Sequence, residues 1–217
     1  PTTIPQSLES LMVEQAIARE ALRLAFIQHT ALAVGLKGVQ QQRTIADTFK
    51  QAESGHTHVD MQKLDILVGS GGVLSHAPRR SQAMMMLIDA FLPEGVTRIA
   101  VDSIFMMPQL GVLSAVEEPE FTESAKRAAV DVFNKDCLIH LGTCIAPVGE
   151  GKPGKPCLEL EFQIPGDAPI HAKLDYGDVR VFPFEFGAEN AKAVIKPARG
   201  FDVGAGPGKT VETEIEG

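Results

Sequence analysis

The run Asp65-Ile66-Leu67-Val68-Gly69-Ser70-Gly71-Gly72-Val73-Leu74-Ser75-His76-Ala77-Pro78 constrains the fold of this chain more than any other stretch. Ile66, Leu67 and Val68 read as a short buried strand, four small residues follow at once, and a helical pattern runs from about Pro78 to Phe91. A strand that turns through glycines into a helix brings backbone N–H groups and a helix start to one point, a geometry suited to anions. Glycines without Cβ atoms let a ligand lie directly on the main chain. Nucleotide binding is therefore the leading expectation, with plain helix–strand packing as the alternative use of the same turn.

Around this motif the chain reads as alternating helices and strands. A long helix is expected from Gln6 to about Ala31, with no Gly or Pro inside and stops at Gly35 and Gly38. Leu8, Leu11, Gln15, Leu22 and Phe26 mark one side of it, and Val13, Ile17, Leu24 and Ile27 a second. Two apolar sides predict a helix sandwiched between layers. Between Leu36 and Gln62 lies a polar excursion with a short helical patch at Thr44 to Lys50. Thr97 to Val101 reads as a second strand, Leu110 to Val116 as a helix broken by Glu117-Glu118-Pro119, and Glu123 to Asn134 as one more. This alternation predicts an α/β layer with parallel strands over residues 1–136. Gly and Pro then become frequent, and Leu158 to Ile164, Val179 to Phe184, Ala191 to Ile195 and Val211 to Ile215 predict a small all-β module over 137–217.

Composition removes several function classes. A net charge of -8 argues against a nucleic-acid surface, which needs clustered positive charge. No apolar run approaches the ~20 residues that cross a bilayer, so no membrane partner is expected. Three cysteines and no signal peptide make a reducing, cytoplasmic setting the expectation.

Other constellations have simpler readings. Gly204-Ala205-Gly206-Pro207-Gly208-Lys209-Thr210 ends like a P-loop, but Val203 stands where its first glycine belongs and no helix fits after it. Cys137, His140, Cys144 and Cys157 offer four metal-ligating side chains without a Cys-x-x-Cys knuckle, and burial of small apolar cysteines is the preferred reading, with no metal expected. His56 and His58 belong to a loop. Met84 to Met86 are core residues at helical spacing. No nucleophile–base or paired-carboxylate set emerges, so no catalytic residue is assigned. Asp102 and Ser103 follow the second strand, where α/β folds place ligand contacts. His76, Arg79 and Arg80 lie within reach of a phosphate or a base on the glycine turn.

Taken in order, the long helix (Val13-Glu14-Gln15-Ala16-Ile17-Ala18-Arg19), the Ile66 to Gly72 turn, and Pro108-Gln109-Leu110-Gly111-Val112-Leu113-Ser114-Ala115 resemble the C-terminal lobe of the sugar kinase/heat-shock chaperone/actin ATPase superfamily. More closely, Val68 to Ser114 and the late segment Pro197-Ala198-Arg199-Gly200-Phe201-Asp202-Val203-Gly204-Ala205-Gly206-Pro207-Gly208-Lys209 look like the glutamate mutase accessory proteins, called MutL or GlmL and unrelated to mismatch repair. The resemblance implies the C-terminal lobe of an actin-like, ribonuclease H-like ATPase fold. It implies an ATP/ADP-binding role, with Mg2+ in the complete protein, in reactivating or loading an adenosylcobalamin-dependent mutase subunit. Gly69, Ser70, Gly71, Gly72, Ser75, Arg79, Asp102 and Ser103 are then the nucleotide-binding candidates. Val73 and Leu74 stand where the chaperones carry small hydroxyl residues, and Ser75 where they stack an arginine on adenine. No strand-Asp-x-Gly-[Ser/Thr] hairpin precedes the long helix, so an N-terminal lobe is expected as a partner and the chain, which starts at Pro1, as the C-terminal part of a larger protein. A scaffold that docks on the mutase, with the glycine turn serving packing, is the alternative. A stand-alone enzyme using Asp102, Ser103 and His76 is a third reading, without a defensible catalytic set.

Overall fold

A run of 25 residues rich in Ala, Leu, Glu and Gln, with no Gly or Pro, makes the first helix, α1 (Leu8–Leu32). Ser7 caps it, its Oγ accepting from the amide of Ser10 at 3.1 Å. The computed structural model describes residues 4–33, 58–116, 123–183 and 191–215. The expected helix at Thr44 to Lys50, His56, the glycine stops and the Glu117-Glu118-Pro119 break lie outside those residues.

A single 3-10 turn at Met61–Lys63, capped by Asp60, leads into β1 (Ile66–Gly69). Next come α2 (Gly72–Ser75), α3 (Arg80–Phe91), β2 (Gly95–Asp102), α4 (Met107–Ser114) and α5 (Glu123–Val132). A π-helical turn at Phe133–Cys137 passes into β3 (Leu138–Ala146). β1 and β2 pair in parallel, Val68 opposite Ala100, as the helix between them requires. β3 closes the three-stranded sheet antiparallel to β2. The sheet is therefore mixed, and the segment after Asp136 contributes its third strand before any second sheet begins.

β4 (Pro156–Gln163), β5 (Ile170–Asp175), β6 (Ala191–Pro197) and β7 (Val211–Ile215) form that second sheet, wholly antiparallel, in the order β5-β4-β6-β7. The expected strand at Val179 to Phe184 is not there over its described residues, 179–183. Val179 and Val181 stand 89% and 82% exposed, and the pairing strand is β5, on the near side of the Tyr176-Gly177-Asp178 turn.

Two apolar clusters result. Ile99 and Val101 of β2 meet Leu74, Met86 and Leu87, with Ala18 and Leu22 of α1 packed on the outside. Leu158, Leu160, Phe162, Ala193 and Ile195 gather with Phe201 and Val203, and Val96 and Ile145 of the first sheet pack against them. The sandwich expected for α1 is not present among the described residues. Its Leu22 side lies on α3, fastened by Phe26 against Phe91 (centroids 5.0 Å apart) and by an ion pair from Arg19 to Asp89. Val13, Ile17, Leu24 and Ile27 on its other side stay about half exposed. No described helix is long and apolar enough to cross a membrane.

The P-loop-like run folds around its own carboxylate. Asp202 Oδ1 accepts from the amides of Gly204 and Gly206, both at 2.8 Å, so two amides that a phosphate would need are already bound. Asp202→Ala leaves both amides without their acceptor, and chemical denaturation is expected to show a loss of about 1–2 kcal/mol.

Candidate functional site

Asp102 ends β2 fully buried, where an unpartnered carboxylate would be costly. Its two oxygens are met from three directions. Oδ1 accepts from the amide of Met106 at 3.0 Å, and Oδ2 from the amide of Met107 at 2.9 Å and the hydroxyl of Ser70 at 3.1 Å. The first two donors are the orphan amides at the start of α4, which Pro108 helps to initiate. Ser75 adds a bond from its hydroxyl to the Asp102 carbonyl. Burial pushes the Asp102 carboxyl up, but the amides of Met107 and Met106, the Ser70 hydroxyl and the Ile104 amide outweigh it and hold the group below its ordinary value.

The glycines divide the work. A Cβ on Gly69 would stand 2.9 Å from Leu74 Cδ1 and 3.0 Å from Leu87 Cδ1, so this residue lets α2 and α3 close on β1. Gly71 has φ +105 and ψ 156, a conformation essentially reserved for glycine, and it caps α2. A Cβ on Gly71 or Gly72 would meet nothing within 4 Å, and Gly72 is exposed. Main chain therefore faces open space at the C-terminal end of a parallel strand, the place where open α/β sheets receive ligands.

Of the sequence candidates, Ser70, Ser75 and Asp102 form one hydrogen-bonded knot under Gly71 and Gly72. Ser103 lies beside it, but its amide and hydroxyl both bond to the Cys137 carbonyl at 2.8 Å. Arg79 is exposed at the start of α3, its amide held by Gln82. Arg80 is the arginine tied to the knot, its Nη1 donating to the Ser75 carbonyl at 2.8 Å. His76 ends α2, exposed.

The cysteines do not converge. Cys137 lies beside Ser103, Cys144 pairs with Thr97 across the first sheet, and Cys157 belongs to the second core. Among the described residues no group of three or more His, Cys, Asp or Glu side chains is placed to hold a metal. A cleft of about 570 Å³ between the two sheets is lined by Asp65, Arg98, Gly204, Glu212 and Glu214, away from the glycine turn.

Sequence reasoning reached the residues of the knot but not its wiring. An acidic residue ending a strand five positions before a Met-Pro helix start was the available signal for a buried cap.

Because its folded-state value is depressed, Asp102 contributes stability above the ordinary aspartate value of 3.8, and that contribution disappears as pH falls through the folded value. Asp102→Asn turns an amide donor toward donors and is expected to cost about 1–3 kcal/mol at neutral pH. In denaturation series, the gap between wild type and this variant should narrow below about pH 4.

Comparison with curated proteins and with solved structures returns no match. A family model described as MutL protein matches residues 1–130, which takes in α1, the glycine turn, the Asp102 knot and most of α5. That match covers more than half of the chain, and the chain belongs to the MutL protein family, that of the glutamate mutase accessory proteins.

Proposed function

We propose that this chain is the adenosine- and phosphate-binding half of an accessory ATPase that serves an adenosylcobalamin-dependent mutase, of the glutamate or amino mutase type. The observation that carries the reading is the main chain at half-buried Gly71 and exposed Gly72, where a Cβ would meet open space, beside the hydrogen-bonded knot of Ser70, Ser75 and Asp102. The parallel β1–helix–β2 unit supports the C-terminal lobe of an actin-like ATPase as its setting. ADP or ATP would rest its ribose-phosphate on this backbone, with Arg79 and Arg80 supplying positive charge nearby. Asp102 already accepts from three donors and does not offer itself to Mg2+, so the metal on this reading is held by the phosphates and the N-terminal lobe of the same protein. Hydrolysis needs groups that stabilise the transferring phosphoryl, and on this reading it is expected only together with the N-terminal lobe. The mutase subunit and the N-terminal lobe are the partners, in the cytoplasm.

Packing at Gly69 favours a second reading, in which the turn only seats α2 and α3 and the chain is a scaffold that docks on the mutase.

Gly72 separates the two readings better than Gly71, whose positive φ makes any substitution strain the fold. Gly72→Leu has room for its side chain and keeps an ordinary helical backbone. Under the nucleotide reading, calorimetry is expected to show ADP binding to the wild type and a loss of at least about tenfold in the variant, with the melting temperature preserved. Equal affinity of both for ADP, or none in either, would leave the scaffold reading.

A further inference from the structure

The loop between β2 and α4 is pinned at both ends. Ser103 is tied to the Cys137 carbonyl through its amide and its hydroxyl, and Met106 and Met107 are tied to the Asp102 carboxylate. Between the pins Phe105 takes φ +60, a left-handed conformation that bulky side chains avoid. Its ring is not folded inward: Phe105 is 52% exposed and Ile104 beside it 60%. The aromatic pairs among the described residues are Phe26–Phe91, Phe162–Phe182 and Tyr176–Phe201, and Phe105 is in none of them. A strained backbone that holds a large aromatic side chain out of both cores calls for a use outside them.

Position supplies that use. The carboxylate that holds Met106 and Met107 also holds Ser70, so the Phe105 loop and the Gly71–Gly72 turn flank one group at the C-terminal ends of adjacent parallel strands. One flank offers bare backbone, suited to phosphate and sugar. The other offers an apolar aromatic surface, suited to a planar base.

We propose that Phe105 is the stacking platform for the base of the nucleotide whose phosphates lie on Gly71 and Gly72, an inference that rests on the nucleotide reading above. The platform gives affinity through ring contact and sets the ligand class as a nucleotide rather than a simple phosphate compound, since pyrophosphate carries nothing to stack. Phe105 is a binding residue with no part in chemistry.

The test compares ADP with pyrophosphate on the full chain. Phe105→Ala should weaken ADP by about tenfold to a hundredfold, the usual loss for one stacked base, while pyrophosphate affinity and melting temperature stay at wild-type values. Phe105→Trp should keep ADP binding. The chain contains no tryptophan, so the emission of this variant reports the platform alone and should be quenched by ADP and not by pyrophosphate. If Phe105→Ala binds ADP as wild type does while Gly72→Leu does not, the platform is overturned and the nucleotide site stands. Equal losses for ADP and pyrophosphate in Phe105→Ala would also overturn it, by showing that the side chain acts through the fold. If wild type binds no ADP, the platform and the nucleotide reading fall together.

Discussion

A buried carboxylate that cannot be left unpartnered organises the upper end of the first sheet. Asp102 gathers donors from the turn after β1, the loop after β2 and the first turn of α4. Hydrogen bonds to a charged acceptor in a low-dielectric setting are strong and directional, so the three segments are set in position as well as in proximity. Ser75 extends the arrangement to α2, and Arg80 extends it to the start of α3. Gly71 and Gly72 follow Ser70 directly and so lie beside this set of bonds.

Much of the first sheet was legible because its signals are local. Three apolar residues before a glycine run mark β1, Ser7 ahead of 25 residues free of Gly and Pro marks α1, and Val211–Ile215 was read at its observed bounds. Features that depend on distant partners were not legible. Val179 and Val181 have strand-forming side chains but no strand to pair with among the described residues, whereas Ile170–Asp175, broken by His171 and Lys173, finds β4 and places Lys173 Nζ 2.7 Å from Glu159. The second apolar side of α1 shows the same limit, since periodicity reports which residues are apolar and not which of them are covered.

The site divides in the same way. Glycine at 69, 71 and 72 was visible as a pattern, yet the three differ in role, and only the surrounding packing separates a glycine that admits Leu74 and Leu87 from two that face open space. Asp102 was singled out by its place at a strand end. That its oxygens face inward, against backbone amides, follows from the turn into α4. The late glycine run shows the converse: its resemblance to a phosphate loop is real in composition, and Asp202 occupies the position an anion would take.

In β3 the register slips by one residue, so that Ile99 faces Gly142 and Ala100 faces His140, leaving Leu141 as the extra residue of a bulge. The slip reverses the alternation along the strand. Ile139, Leu141 and Cys144 all pack toward the helices, while Ile145 packs into the other core with Val96. One strand thereby serves two hydrophobic cores with opposite phase. Removing Leu141 would restore a regular ladder in which Cys144 still faces Thr97 and Ile145 still faces Val96, so the bulge adds one apolar side chain to the helix-side core without exchanging the residues beyond it.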